Sequence, residues 1–74
     1  MSQHPEMKPV TSSQIESVGY DADAKELHVK FHRGGHYAYP GVEAHEHEAL
    51  IGAESIGRHF AKHVKGRAFR RLDK

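Results

Sequence analysis

Apolar and polar residues alternate most clearly between positions 27 and 32 of the chain. Leu27, Val29 and Phe31 are separated by polar residues, which is the period of a half-buried β-strand. Residues 15–20 and 36–39 flank this segment and are also rich in β-compatible side chains. The pattern therefore predicts three consecutive strands.

Turn-forming residues separate the predicted strands. Residues 21–25 begin with Asp21, whose carboxylate can accept hydrogen bonds from the backbone N–H groups of a turn. The Gly34-Gly35 pair tolerates the positive φ angles of a tight hairpin, and Pro40 ends the third strand. Such short connections join antiparallel neighbours, so the three strands are expected to form a β-meander.

The second half of the chain changes to the period of α-helices. Residues 43–53 predict a first helix with one apolar side that includes Leu50. Ser55 is suited to cap a second helix, because its hydroxyl can accept a hydrogen bond from an N–H group of the first turn. The second helix then has an apolar residue at every fourth position, namely Ile56, Phe60 and Val64. Gly66 is its predicted stop signal.

These elements predict an α+β fold, in which a three-stranded antiparallel β-meander is followed by two α-helices packed on one face. A chain of 74 residues is long enough for only one core. Residues 1–9 contain two prolines and no periodicity, so they predict a flexible leader before a single domain over residues 10–72. The predicted core residues are Leu27, Val29, Phe31, Leu50, Ile56, Phe60 and Val64.

Composition narrows the class of protein. The chain has no cysteine, which excludes disulfides and thiolate zinc sites. The first residues lack the apolar run of a secretion signal, and no stretch approaches the roughly 20 apolar residues that span a bilayer. We therefore expect a soluble, cytoplasmic protein that does not enter a membrane.

Charge is distributed unevenly along a chain whose net charge is only +1. Residues 1–54 contain four Lys or Arg against nine Asp or Glu, whereas residues 55–74 contain seven against one. On the second helix, Arg58, Lys62 and Lys65 lie opposite the apolar stripe. The basic segment therefore predicts either internal pairing with acidic groups or a surface for a polyanion.

The orientation of Tyr37 and Tyr39 depends on the length of the Gly34-Gly35 hairpin loop. A loop of two or four residues places Lys30 opposite Tyr39 and leaves both tyrosines on an open face with basic residues, where unstacked bases can lie. A loop of three residues reverses the parity and packs both tyrosines under the helices. The sequence leaves both registers open.

The eight histidines raise the question of a metal site. His59 and His63 are four residues apart and can share one ion on the second helix, but a tight site needs three or four ligands. The run from His45 to Glu48 lacks the spacing of a zinc-protease helix. We expect no specific metal site and no cofactor.

Catalytic residues are not indicated either. The serines occupy turn or cap positions, and no glycine-rich phosphate loop is present. Glu46 is the one carboxylate that falls on the apolar side of the first helix. It is expected to pair with a basic neighbour from the second helix, so we predict no enzymatic activity.

The order of these signals resembles the KTSC domain, a module found at the C-terminus of some lysyl-tRNA synthetases and alone in bacterial proteins. The resemblance covers residues 10–70. Glu46 and His47 depart from it, because the family pattern usually has an aliphatic residue and a tyrosine there. The matching residues are Ser12, Ser13, Ile15, Val18, Gly19, Tyr20, Asp21, Leu27, Val29, Phe31, Gly34, Gly35, the YxY triplet Tyr37-Ala38-Tyr39, Val42, Leu50, Ala53, Glu54, Ser55, Gly57, Phe60, Val64 and Lys65.

The resemblance implies a non-catalytic module with a suggested role in RNA binding. In this hypothesis basic residues contact phosphates and two tyrosines stack on bases. The alternative is a protein-interaction module, or a homodimer, that uses the open sheet face or an edge strand. The candidate RNA-binding residues are Lys30, Tyr37, Tyr39, Arg58, Lys62, Lys65, Arg67, Arg70 and Arg71.

Overall fold

The computed structural model describes residues 6–72, which form one antiparallel sheet and two helices. The sheet order is β1-β2-β3-β4-β5. The predicted α+β class and the central meander of β2, β3 and β4 are confirmed. In chain order the elements are β1 (Lys8–Pro9), β2 (Ile15–Asp21), β3 (Glu26–Phe31), β4 (His36–Pro40), α1 (Ala44–Ile51), α2 (Ile56–His63) and β5 (Arg70–Arg71).

The predicted count of three strands is wrong, because a short strand is added at each edge of the meander. Pro9 of β1 lies opposite Ser17 of β2, and Arg71 of β5 lies opposite Tyr37 of β4. Both added strands have two residues, which is too short to produce an alternating pattern in the sequence. The sheet thus begins inside the segment predicted as a leader, whose residues 1–5 lie outside the described part.

The β3–β4 hairpin decides between the two registers that the sequence left open. The N–H of Phe31 donates to the carbonyl of Gly35 at 3.2 Å, and the N–H of Gly34 donates to the carbonyl of Phe31 at 3.0 Å. The loop therefore has three residues, 32–34, and Gly34 takes a φ of 104° that suits glycine. As a result Tyr37 lies opposite Val29 on the neighbouring strand.

This register gives the sheet two unlike faces. The covered face lies under the helices and consists of Val18, Tyr20, Leu27, Val29, Tyr37 and Tyr39. The open face points away from them and consists of Ser17, Gly19, Glu26, His28, Lys30, His36, Ala38 and Arg70. Successive residues of a strand point to opposite faces of the sheet. A change of one residue in the length of the hairpin loop therefore moves every side chain of β4 to the other face.

The helices form close to where the sequence predicts them. Helix α1 covers Ala44–Ile51, one residue less at its start and two less at its end than the predicted segment 43–53. Its first turn is fixed by the side chain of Glu46, which accepts a hydrogen bond from the N–H of Glu43 at 2.9 Å. The predicted cap of α2 is confirmed, because the Ser55 hydroxyl accepts from the N–H of Arg58 at 3.3 Å.

One core joins the covered face to both helices. The Phe60 ring of α2 makes edge contacts with Phe31 and Tyr39, at centroid distances of 5.6 and 5.5 Å. All seven predicted core residues belong to this cluster, with Phe31 only partly buried. Ile15, Val18, Tyr39 and Val42 complete it.

No helix within residues 6–72 is both long and apolar enough to cross a membrane.

Candidate nucleic-acid interface

The outer side of α2 and of the turn that follows it carries the most accessible basic residues. Arg58, Lys62 and Lys65 are exposed. Arg58 and Lys62 are four residues apart on one side of α2, and Lys65 lies in the turn that follows it. The opposite side is buried through Ile56 and Phe60. We call Arg58, Lys62 and Lys65 the basic face; within residues 6–72 none of the three forms an ion pair.

A polar groove lies beside the basic face at the start of α2. It has a volume of about 600 Å³ and includes the side chain of Arg58 in its wall. Gly57 lets the loop approach closely, because a Cβ there would lie 3.3 Å from the Ser12 hydroxyl oxygen. The hydroxyl and amide groups of the groove belong to Thr11, Ser12, Ser13, Gln14 and Ser55.

The other predicted basic residues are engaged within the domain. Arg67 lies 3.4 Å from the Glu46 carboxylate, and Arg70 donates to both carboxylate oxygens of Glu26 at 2.8 and 2.9 Å. The Arg71 guanidinium lies 5.7 Å from the centre of the Tyr37 ring. Internal pairing with acidic groups is therefore present for Arg67 and Arg70. A polyanion on the exposed cations of α2 stays a prediction.

The pairing expected of Glu46 is present, although its partner Arg67 follows α2 instead of lying within it. The hydrogen bond from the backbone N–H of Glu43 holds the pKa of Glu46 below its ordinary value, and Arg67 lowers it further. This departure from the family pattern is thus a structural pair that joins α1 to the segment after α2.

The two tyrosines are packing residues in this fold. Tyr39 is only 5% exposed, and its ring contacts Phe60 and Phe69. Burial raises the pKa of Tyr39. Lys30 lies opposite His36 on the open face, so the predicted grouping of Lys30 with the tyrosines is wrong. The reason is the three-residue hairpin loop, which reverses the parity.

A chain of polar contacts crosses the open face. The Nε2 atom of His28 lies 3.4 Å from Glu26, and its Nδ1 atom lies 3.3 Å from Nε2 of His36. Arg70 holds the Glu26 carboxylate from the other side. His28 is only 2% exposed, and the residues opposite it on the two neighbouring strands are Gly19 and Ala38. Sequence reasoning missed this group, because its members become neighbours only once the strand register is known.

A second groove separates α1 from the β1–β2 edge. The rings of Tyr20 and His47 stack there at a centroid distance of 5.0 Å, and the Tyr20 hydroxyl donates to the carbonyl of Val42 at 2.6 Å. Burial lowers the pKa of His47, and the nearby Lys8 lowers it further. The groove has a volume of about 820 Å³ and includes the exposed side chain of Ile51.

Within residues 6–72 there is no group of three or more His, Cys, Asp or Glu side chains that can hold a metal ion. His59 and His63 lie close together, with ring centroids 4.4 Å apart. Burial and the two neighbouring basic residues, His63 and Lys62, lower the pKa of His59.

Comparison with known proteins agrees with the fold and the residue pattern. The model of the KTSC domain family matches residues 11–69, most of the chain. The chain belongs to the KTSC domain family. The predicted resemblance is therefore confirmed.

The chain is also similar to individual proteins from other bacteria. The chain is 39% identical over 59 residues to an uncharacterised protein of Stutzerimonas stutzeri, covering 80% of this chain and 83% of that protein. It is 41% identical over 61 residues to a protein of Tsukamurella paurometabola, covering 82% and 91%. The crystal structure of a KTSC domain protein from Yersinia pestis superposes with a TM-score of 0.89 at 37% identity, covering 93% of this chain and 99% of that one.

Proposed function

We propose that this KTSC protein is a non-catalytic module that binds single-stranded RNA through phosphate contacts on the basic face. The observation that carries the proposal is the exposure of Arg58, Lys62 and Lys65 together, with no acidic partner among residues 6–72. Two cations on one side of α2 and a third in the turn after it can neutralise phosphates and release their counterions.

The proposed contact is with the backbone and not with stacked bases. Base stacking on the two candidate tyrosines needs exposed rings, whereas Tyr39 is buried and Tyr37 contacts both Phe31 and Phe69. Binding should therefore tolerate changes in RNA sequence, since phosphate contacts carry no base information. The polar groove beside Arg58 offers hydroxyl groups that can donate to the same phosphate oxygens.

Salt dependence of binding to a labelled single-stranded RNA tests the proposal directly. Fluorescence anisotropy at several salt concentrations gives the slope of the logarithm of affinity, which is about 0.7 per phosphate neutralised. Replacing Arg58, Lys62 and Lys65 by Gln should reduce that slope by about 2, three times the value for one phosphate.

A matched control removes the same charge elsewhere. Lys25, Lys30 and Arg33 are exposed on the opposite side of the meander or in its turns, and replacing all three by Gln should leave the slope nearly unchanged. If both triple variants lost the same amount of slope, the effect would come from net charge alone, and the proposal that RNA binds the basic face would be contradicted. Absence of binding at low salt would end the RNA proposal, and shortened RNA on a gel would contradict a non-catalytic role.

A protein-interaction role is the second candidate, and it rests on a different feature. The helices cover one face of the sheet only, and the edge strands β1 and β5 have two residues each, which leaves the ends of β2 and β4 without a neighbour in the described sheet. Such edges can accept a strand from another chain. Sedimentation at two protein concentrations, with and without RNA, separates a homodimer from an RNA complex.

A further inference from the structure

We propose that the polar groove beside the basic face binds the ribose of a nucleotide and so distinguishes single-stranded RNA from single-stranded DNA. The groove has a volume of about 600 Å³ and lies between residues 11–14, which precede β2, and the first turn of α2. This ribose site rests on the function proposed above, because it assigns the class of nucleic acid that the basic face prefers. It needs no contact with a base.

Phosphate contacts alone do not produce a preference for RNA. RNA and DNA have the same phosphate charges, so Arg58, Lys62 and Lys65 attract either one. The group that differs is the 2′-hydroxyl of the ribose, which can donate and accept a hydrogen bond. A preference for RNA therefore requires hydrogen-bonding side chains close to the bound phosphate.

Gln14 provides such a side chain next to Arg58. A Cβ atom built on Gly57, the residue before Arg58, would lie 3.7 Å from Oε1 of Gln14. The Gln14 side chain thus reaches across the groove to the first turn of α2. Its amide contains both donors and an acceptor, which matches the two roles of a 2′-hydroxyl.

The side chains of Ser13 and Gln14 keep their hydrogen-bonding groups for a ligand. Both residues are exposed, and among residues 6–72 neither side chain has a hydrogen-bond partner. The hydroxyl of Ser12, in contrast, accepts from the N–H groups of Gln14 and Ile15, both at 3.2 Å. Ser55 caps α2. These bonds hold the two walls of the groove and leave Ser13 and Gln14 to contact the sugar.

The charges of the groove favour a sugar over a second phosphate. Of the described residues that line it, Arg58 is positively charged and Glu54 is negatively charged. Glu54 forms no ion pair within residues 6–72, so its carboxylate repels a phosphate placed near it but accepts a hydrogen bond from a hydroxyl. The phosphate therefore binds at Arg58, and the neighbouring ribose lies against Ser13 and Gln14.

Fluorescence anisotropy with three labelled oligonucleotides tests the ribose site. Oligoadenylate RNA, its deoxyribose counterpart and its 2′-fluoro counterpart have the same bases and phosphates. The 2′-fluoro sugar keeps the RNA-like conformation but cannot donate a hydrogen bond. At one low salt concentration the RNA should bind about 5-fold more tightly than either of the others, the effect of one hydrogen bond. The salt slope should be the same for all three, because it counts phosphates.

Two sets of variants separate the ribose site from the phosphate site. The double variant Gln14→Met with Ser13→Ala removes hydrogen-bonding groups and no charge. Its preference for RNA should disappear, while its affinity for DNA and its salt slope stay unchanged. Replacing Arg58, Lys62 and Lys65 by Gln should instead weaken the binding of RNA and DNA alike. Ser13 and Gln14 are exposed, so the double variant should remain folded, which circular dichroism checks.

The outcomes distinguish the ribose site from the proposed function. Equal binding of RNA and DNA by the unaltered chain, or a preference for RNA that survives the double variant, would overturn the ribose site and leave phosphate binding by the basic face in place. If neither nucleic acid bound at low salt, the proposed function would fail, and the ribose site with it.

Discussion

The two faces of the central sheet are built from alternate residues of the same strands, yet they differ in almost every physical property. On β3, Leu27 and Val29 are fully buried under the helices, while His28 and Lys30 belong to the open face. The covered face is held by aromatic and aliphatic contacts. The open face is held by a line of charged and imidazole groups.

The residues that stabilise this domain and the residues proposed to bind a ligand lie in different places. Tyr39, which was a candidate for stacking on a base, packs against Phe60 in the core. The cations on the outer side of α2 remain exposed. The proposed binding therefore relies on phosphate contacts and not on stacking by the two tyrosines.

Removing an aromatic ring from the covered side is expected to have the largest effect. Phe60→Ala should lower the free energy of unfolding by about 3–5 kcal/mol, because it deletes a buried ring and leaves a cavity. Phe60 is 4% exposed, whereas Phe69 is 53% exposed, so Phe69→Ala should cost far less. Urea unfolding of both variants measures the difference, and equal losses would contradict the assigned core.

A single hydroxyl at the end of the covered face should have a smaller effect. Tyr20→Phe removes the 2.6 Å hydrogen bond to the carbonyl of Val42 and should cost about 1 kcal/mol. Tyr37→Phe is the control, since no hydrogen bond of the Tyr37 hydroxyl is found among residues 6–72. If thermal unfolding showed Tyr37→Phe to be the more damaging change, the link between β2 and the start of α1 would be wrongly assigned.

On the open face the expected effects are smaller again. Arg70→Gln breaks the two-pronged pair with Glu26 and should cost about 0.5–1 kcal/mol, the upper range for a partly exposed ion pair. Lys25→Gln breaks a longer and more exposed contact with Glu43, at 3.4 Å, and should cost almost nothing. Chemical unfolding of both variants measures these losses in the free energy of unfolding. A larger loss for Lys25→Gln would contradict the greater contribution assigned to the Arg70–Glu26 pair.

The stability of the fold should depend modestly on pH because of one histidine on each helix, His47 on α1 and His59 on α2. Burial lowers the pKa of His47 and of His59 in the folded chain below the ordinary value of 6.5. The unfolded chain then binds protons more readily, so stability is complete above about pH 6.5 and falls as the pH drops below it. Unfolding at pH 7.5 and 5.5 measures this loss, which His47→Gln with His59→Gln should reduce; an undiminished loss would place its source elsewhere.

The sequence predicts the meander, both helices and the core because apolar residues recur in these segments at the period of a strand or of a helix. Ile56, Phe60 and Val64 repeat every four positions, and this repeat remains legible without any tertiary information. The edge strands could not be predicted in the same way. Two residues such as Lys8 and Pro9 show no period, and their pairing with β2 is decided by tertiary contacts.

The candidate site was only partly predictable for a related reason. The exposure of Arg58 and Lys62 follows from helical spacing alone, whereas Lys65 lies beyond the end of α2. The face on which the tyrosines lie depends on the length of the loop between Phe31 and Gly35, to within one residue. The same amino-acid composition is compatible with either loop length, so the sequence does not distinguish the two registers. The partners of Arg67 and Arg70 lie 21 and 44 positions away in the sequence, beyond the reach of local patterns.

The central claim, that RNA phosphates contact the basic face and not the sheet, is tested most directly by NMR. Backbone amide signals of the ¹⁵N-labelled chain are followed as a short single-stranded RNA is added at low salt. The account predicts that the largest shifts cluster at residues 57–65, while the signals of β3 and β4 stay in place. Shifts centred on His28, Lys30 and His36, or on Tyr37 and Tyr39, would contradict it.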